Sequence, residues 1–343
     1  MKKIIALLLT ACLLAALAAC GGSAPAASSG SAESASAPAS SGSSSAATDT
    51  DTVAVGAVVI ARDDVSEDAV YAFVSNIFEN TAAIAEQHGK GAELNLDFAS
   101  GVTSVPYHAG AAKYFAEKGY NVPVKEGSGS GTAANLTFGT GGDTGTYYAF
   151  GSVLANYVSN NSDFKITAVS SGGSKANIED MMAGDVQLGF AQSDVMSYAY
   201  NGQRLFDEKV EDFSVVAALY MEQVQIVTTN ASIKSVADLA GKTVSIGAVG
   251  SGVYFNAIDV LEAYGLTEND IKPVYQSFGD SADSLKDGKI DAAFIVAGAP
   301  TPAITDLASG ASVYLVGIDK EHTDSLLASS PFYSAYTIPA GTY

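Results

Sequence analysis

The sequence predicts an α/β protein of two similar lobes facing one another across a cleft. Three observations carry that expectation. First, a glycine-rich loop occurs twice. Gly139-Thr-Gly-Gly-Asp-Thr-Gly-Thr-Tyr-Tyr148 has a looser counterpart in Gly247-Ala-Val-Gly-Ser-Gly-Val-Tyr-Phe255. Each follows a short β-rich run, Leu136–Phe138 or Thr243–Ile246. Each opens an apolar stretch of helical period: Phe150, Val153, Leu154 and Tyr157, or Phe255, Ile258, Val260 and Leu261. Second, the likeness continues downstream. Ser174-Lys-Ala-Asn and Ser281-Ala-Asp-Ser each start a helix-like run. Those runs end at Gly184-Asp-Val-Gln-Leu-Gly-Phe190 and Gly288-Lys-Ile-Asp-Ala-Ala-Phe294. A strand–loop–helix–strand–loop–helix–strand unit is therefore duplicated. Third, about 295 residues remain after the export and tether segments, more than one typical core holds.

The amino-terminal segment reads as a secretion signal over residues 1–20. Lys2-Lys3 precede an apolar run from Ile4 to Ala19, which is too short for a stable membrane span. Leu17-Ala18-Ala19-Cys20-Gly21 resembles a bacterial lipobox, which would make Cys20 the lipidated residue and anchor the chain on the extracytoplasmic side of a membrane. Residues 21–48 are nearly all Ser, Ala, Gly and Pro and read as a flexible tether, since they hold no apolar surface to bury. Cys12 and Cys20 are the only cysteines, so the folded body offers no disulfide, thiolate metal site or cysteine nucleophile. The net charge of −20 argues against nucleic acid, whose phosphates need Lys and Arg. It leaves room for a small anion, which backbone N–H groups at helix starts can hold without cationic side chains.

Val53–Ile60 is dense in β-branched residues and predicts a buried strand. Ser66-Glu-Asp then reads as an N-cap with an acidic first turn. The helix that follows carries Val70, Phe73, Val74, Ile77 and Phe78 on one face. Further helices are expected over Thr81–His88 and Ala109–Lys118, the latter ended by Gly119. Glu126-Gly-Ser-Gly-Ser-Gly131 reads as a flexible joint. Phe164–Val169, Val186–Phe190, Lys272–Gln276, Ala292–Val296 and Val313–Ile318 read as strands, and Phe213–Thr229 as a long extended crossing with Tyr220-Met-Glu in its middle. Strands alternating with helices of this length argue for parallel sheets.

In open α/β sheets, ligands bind beyond the carboxyl ends of strands, where loops meet helix starts. Four loops fit: 139–147, Ser170-Ser-Gly-Gly-Ser174, 247–254 and Ser277-Phe-Gly-Asp280. Glycine lets backbone approach a ligand. Thr144, Thr146, Ser171, Ser174, Ser251 and Ser277 add hydroxyl donors. Gln192-Ser193-Asp194 and Ala297-Gly-Ala-Pro-Thr301 end the third strand of each unit and have the same standing. Tyr147, Tyr148 and Tyr254 stand where they could wall the cleft. The plainer reading of one such loop is turn and cap chemistry; four at equivalent places in a duplicated unit favour a ligand. Enzyme motifs do not emerge. Gly139, Gly141 and Gly142 miss the dinucleotide spacing. Gly241-Lys242-Thr243 lacks the upstream glycine of a phosphate loop. Ser162-Asp-Phe-Lys165 leads into a strand without the companion motifs of β-lactamases. His88, His108 and His322 are far apart and read as surface or helix-end residues. No catalytic residue, metal or cofactor is expected.

The run Thr140-Gly-Gly-Asp-Thr-Gly-Thr-Tyr-Tyr148 resembles the first binding loop of the TAXI family, the solute receptors of tripartite ATP-independent periplasmic (TRAP) transporters. Ala191-Gln-Ser-Asp194, Ser232-Ile-Lys-Ser-Val-Ala-Asp-Leu-Ala-Gly-Lys242, Ala297-Gly-Ala-Pro-Thr-Pro-Ala-Ile304, Pro331-Phe-Tyr-Ser334 and Ile338-Pro-Ala-Gly-Thr-Tyr343 are similar to further landmarks, over residues 50–343. The resemblance implies a two-lobed periplasmic-binding-protein fold of type II-like topology with a hinge. The order departs from the family, in which the segment like Val53–Gly119 follows the Ile-Pro-Ala-Gly-Thr-Tyr motif. The chain reads as circularly permuted, with Lys125–Gly131 joining the former ends. Residues 49–65 would then complete the second lobe and the hinge, with 66–220 (including the joint 126–131) forming the first lobe and 221–343 the second. Val53–Ile60 is expected beside Gln225–Thr229.

The resemblance also implies capture of a small organic solute, glutamate-like or dicarboxylate, by lobe closure and its delivery to a TRAP-type permease. From their loops, Gly142, Thr144, Gly145, Thr146 and Tyr147 would hold one end of an anionic or zwitterionic ligand. Ser171, Gly172, Ser174 and Gln192 would complete that wall. Ser251, Gly252, Ser277 and Thr301 would approach from the second lobe. No arginine stands in these loops, which leaves Arg204 or a bound cation as conceivable helpers. The alternatives are a receptor for another transporter or a sensor, and a secreted hydrolase or lyase using the same cleft.

Overall fold

The β-branched run near the start of the body lies inside a longer strand, β1 (Thr50–Arg62), buried from Thr52 to Ala61. The computed structural model describes residues 48–343; the expected signal, lipidation at Cys20 and tether fall outside the described residues, Thr48 of the tether apart. Ser66 caps α1 (Glu67–Phe78) by accepting the Ala69 N–H at 3.1 Å, and Val70, Phe73, Val74 and Ile77 are its buried face. Short helices α2 (Thr81–Ala85) and α3 (Leu96–Ala99) lead to α4 (Ala109–Glu117). The first repeat is β2 (Asn135–Gly139), α5 (Thr146–Asn161), β3 (Lys165–Val169), α6 (Ser174–Ala183) and β4 (Leu188–Gln192), followed by α7 (Ser193–Asn201). The crossing strand is β5 (Phe213–Thr228). The second repeat is β6 (Thr243–Ser245), α8 (Val253–Ala263), β7 (Lys272–Val274), α9 (Phe278–Lys286) and β8 (Ala292–Ala297), followed by α10 (Pro302–Gly310). The chain closes with β9 (Tyr314–Val316), α11 (Lys320–Ser329) and β10 (Ser334–Ile338).

The strands form one sheet in the order β3-β2-β4-β1-β5-β8-β6-β7, with β10 on β1 and β9 on β5. The two repeats have the same local order, β3-β2-β4 and β7-β6-β8, and are parallel inside each. The expectation of parallel sheets needs correcting beyond that point. β1 and β5 run antiparallel to each other and to β4 and β8 respectively, so the whole sheet is mixed. They pass directly between the repeats and need none of the helical crossovers that join parallel strands.

The expected register is also corrected. β1 pairs with β5 from Ala54 opposite Gln223 to Arg62 opposite Phe213, with shifts at Ala57/Val58 and Val59/Ile60. Residues 225–228 lie instead between β8 and β9. The cause is β9, which takes the edge of β5 beside Ile226–Thr228 where β1 was expected; β10, which sequence reading missed, pairs with Thr50–Ala54 on the other edge of β1.

The core falls into two bodies. One packs Ala57–Ala61 of β1 with α1, α4, α5 and the first repeat. The other packs Val53 and Val55 with Val224, Ile226 and the second repeat, whose other sheet face has its own cluster around Ile295 and Ile304. Thus β1 and β5 each serve both halves, and the expected division at 220/221 falls inside β5.

The segment 125–131, expected as a loose joint, is pinned instead. Gly129 N–H donates to Asp63 O at 2.8 Å, Glu67 N–H donates to Gly129 O at 3.1 Å, and Ala109 N–H donates to Ser128 Oγ at 2.9 Å. The two ends of the described body touch: Ala340 N–H donates to Asp49 Oδ1 at 2.9 Å. Among the described residues no helix is long and apolar enough to cross a membrane.

Candidate ligand cleft

Each repeat sends its strands toward the same gap, so the helices that follow begin there. α5, α6 and α8 start after Gly145, Gly173 and Gly252, which have no side chain with which to cap them. The first N–H groups of a helix lack intrahelical partners and carry its positive end, so these starts remain open to an acceptor, except that Ala176 N–H of α6 is taken by Gly250 O. At α9 the Ser277 Oγ accepts the Asp280 N–H. Gly173 sits at φ +105°, a conformation other residues rarely adopt, and brings its backbone against Ser251 from the opposite half.

Between these starts lies a cavity of about 70 Å³. The β2–α5 loop lines it with Gly142, Gly145, Thr146 and Tyr147. Ser171, Gly172 and Ser174 come from the β3–α6 loop, and Gln192 from the end of β4. The second half contributes Ser251, Gly252 and Ser277. Thr146 and Ser251 therefore share one hollow. Two expected residues do not line it. Thr301 is fully buried elsewhere: its Oγ1 donates to Gly298 O at 3.1 Å and accepts from Gln225 Nε2 at 2.9 Å, and its N–H donates to Tyr343 OH. Thr144 contributes its carbonyl, which accepts the Ala303 N–H at 3.2 Å across the gap. Of the three tyrosines weighed as walls, only Tyr147 lines the cavity; it stacks flat on Phe190, centroids 4.4 Å apart.

Sequence reading missed Glu222, Gln276 and Phe278, which also line the cavity. The signal for Glu222 was present as a lone acidic residue inside an otherwise apolar and amide-bearing strand. It is 2% exposed and accepts a 2.7 Å hydrogen bond from Tyr147 OH. Burial is the largest influence on its carboxyl and pushes it up to about 8. Gln192 Oε1, Ser251 Oγ and Gln276 Oε1 are buried without a partner. Such groups cost about 1–3 kcal/mol each when left unsatisfied, and all three belong to residues of the cavity wall.

The halves are closed upon one another. Thr146 Oγ1 donates to Gly298 O at 2.9 Å and Ala176 N–H to Gly250 O at 3.0 Å. Behind the cavity, Asn256 Nδ2 donates to Asp194 Oδ2 at 2.9 Å, and Arg204 pairs with Asp259 at 2.6 Å while lying over Tyr198 and Phe255. Arg204 is thus committed outside the cavity and is corrected as a ligand helper. The histidines stand at helix starts. His108 is fully buried and accepts the Gly110 N–H, His88 accepts from Lys90 N–H, and His322 stacks on Tyr264. Among the described residues no group of three His, Cys, Asp or Glu is placed to hold a metal.

The chain matches the family model of the NMT1-like family over residues 33–119 and 138–343, and it belongs to that family. Among solved structures it is similar to the alkanesulfonate-binding protein SsuA of Xanthomonas axonopodis pv. citri bound to MOPS (23% identity, 54% of this chain and 61% of that one, TM-score 0.38). It is similar to the periplasmic aliphatic sulphonate binding protein SsuA of Escherichia coli (19%, 61% and 66%, TM-score 0.35). A third is a putative L-cystine ABC transporter of Listeria monocytogenes (19%, 57% and 90%, TM-score 0.37). The chain spans less than two thirds of the length of the two sulfonate-binding proteins.

Proposed function

We propose that this member of the NMT1-like family is an extracytoplasmic receptor that closes its two halves on one small carboxylate-bearing solute. The observation that carries the reading is the convergence of uncapped helix starts, from both halves, on one cavity whose wall residues Gln192, Ser251 and Gln276 hold buried polar atoms without partners. Helix starts suit a carboxylate, and several of them acting away from water can replace an arginine. The cavity is small, about 70 Å³. That suits a single amino acid or small diacid rather than a peptide or an oligosaccharide.

Anchoring through a lipid on Cys20 and delivery to a TRAP-type permease rest on the lipobox-like and TAXI-like motifs. A permease gene beside this one would support the latter, and an ATP-driven transporter would count against it. The contact of Asp49 with Ala340, and the family match that skips residues 120–137, support the circular permutation.

A thermal-shift screen of the purified protein against amino acids, dicarboxylates and sulfonates tests the receptor reading. Ligand at a hundredfold its dissociation constant is expected to stabilise the fold by about 2.7 kcal/mol. No change in melting temperature with any of these solutes would refute it.

A further inference from the structure

We propose that Glu222 is the recognition group for a protonated amine, so that the cleft selects α-amino acids over the matching acids that lack the amine. This rests on the receptor reading above and names the class of solute within it. Among the described residues Glu222 is the one acidic or basic side chain on the cavity wall, and it stands on β5, the strand that serves both halves. The helix starts of both halves favour negative charge; Glu222 marks the single place that favours positive charge. A zwitterion matches that arrangement at both ends. A dicarboxylate would set a second anion against a buried carboxyl.

The groups around Glu222 leave room for a cation to matter. Tyr147 OH on α5 donates to one of its oxygens, and this bond survives ionisation. Tyr220, on the same strand, is fully buried with its hydroxyl unpartnered. Asp194 on α7 opposes ionisation of Glu222 and Lys90 favours it. Lys90, however, pairs with Glu93 at 2.6 Å and is not among the residues of the wall. Before a solute arrives, the carboxyl, held up to about 8, is therefore mostly protonated at neutral pH. An ammonium arriving beside it favours the charged form and drives off a proton.

The experiment is isothermal titration of wild type and Glu222→Gln with the twenty amino acids and their amine-free counterparts, such as L-alanine with propionate and L-glutamate with glutarate. Titrations at pH 7 in buffers of different ionisation enthalpy report proton release. The expected result is an amino acid that binds wild type at least a hundredfold tighter than its counterpart and releases close to one proton per site. Glu222→Gln is expected to lose most of that preference and the proton release. An amine-free acid binding as tightly, or an amino acid binding without proton release, overturns the inference and leaves the receptor standing. Should Glu222→Gln not fold, proton release by wild type alone decides. Binding by no member of the panel overturns both readings.

Discussion

Replacing Glu222 by Gln should stabilise the unliganded protein, and the gain should grow with pH. Glutamine has nearly the same shape and keeps an oxygen to accept from Tyr147 OH. The carboxyl has a folded-state pKa raised from 4.5 to about 8, with burial as the main cause. A raised pKa means that the folded state holds its proton longer than the unfolded chain does. Its contribution to stability is complete below pH 4.5 and is lost as pH rises through 8. Each tenfold difference in proton affinity between the two states corresponds to about 1.36 kcal/mol. Between 4.5 and 7 the burial of Glu222 thus costs wild type about 3 kcal/mol, against about 1 kcal/mol or less at pH 5. At about 2 °C per kcal/mol for a protein of this size, Glu222→Gln should melt roughly 6 °C above wild type at pH 7 and within about 2 °C of it at pH 5. Calorimetry of both proteins across pH 5–8 is the assay, and other titrating groups cancel in the difference. A gap that stays flat with pH, or a variant that melts below wild type at pH 7, would refute the reasoning.

Gly252→Ala should weaken solute binding at least tenfold, because its Cβ would stand 1.8 Å from Gln192 Oε1 and 2.9 Å from Ser174 Oγ of the other half. The Gln192 amide would have to leave its present place on the cavity wall; unchanged affinity by titration calorimetry would contradict this. His108 is held neutral by burial, with its pKa lowered to about 4. Its contribution is present above pH 6.5 and is lost as pH falls through 4, about 3 kcal/mol in all. An NMR titration placing the His108 pKa above 6 would count against that. Ser66→Ala should cost about 1 kcal/mol through loss of the α1 cap, read as a lower urea midpoint with unchanged slope.

The duplicated unit was legible because a parallel strand–loop–helix repeat leaves strong local marks. These are glycine at the turns, hydroxyls at the helix starts and apolar period beyond. Eleven of the thirteen residues taken from those marks line one cavity. What the sequence hid were the long-range pairings. β10 is a partly exposed edge strand whose residues Ser334–Ile338 alternate weakly, and its partner lies at the opposite end of the chain. The partner of β9 was hidden too: β9 fills the edge of β5 beside Ile226–Thr228, where β1 was expected. Thr301 misled for a related reason. It stands at a helix start like the other candidates, but Gln225 from the crossing strand and Tyr343 from the chain's end claim its hydroxyl and N–H. Glu222 shows the converse: an acidic residue in a buried strand breaks the local rule, and such breaks concentrate where function is served at the expense of stability.

On the receptor reading proposed above, the position of Glu222 would tie occupancy to closure. It lies opposite Val55, just before β5 turns from β1 to β8, and the register shifts of β1 against β5 fall within a few residues of it. Direct bonds such as Thr146 to Gly298 and Ala176 to Gly250 hold the closed form without a ligand. Against them stand three unpartnered polar atoms on residues of the cavity wall and a carboxyl that burial keeps from ionising. These unfavourable contributions belong to the closed, unliganded state alone, since opening would hydrate the groups. A solute that pairs with them removes those contributions only in the closed state, and this differential is what allows binding to shift the population. A solute that filled the volume but left Gln192, Ser251 and Glu222 unmatched would bind the two states almost equally and would not close the cleft.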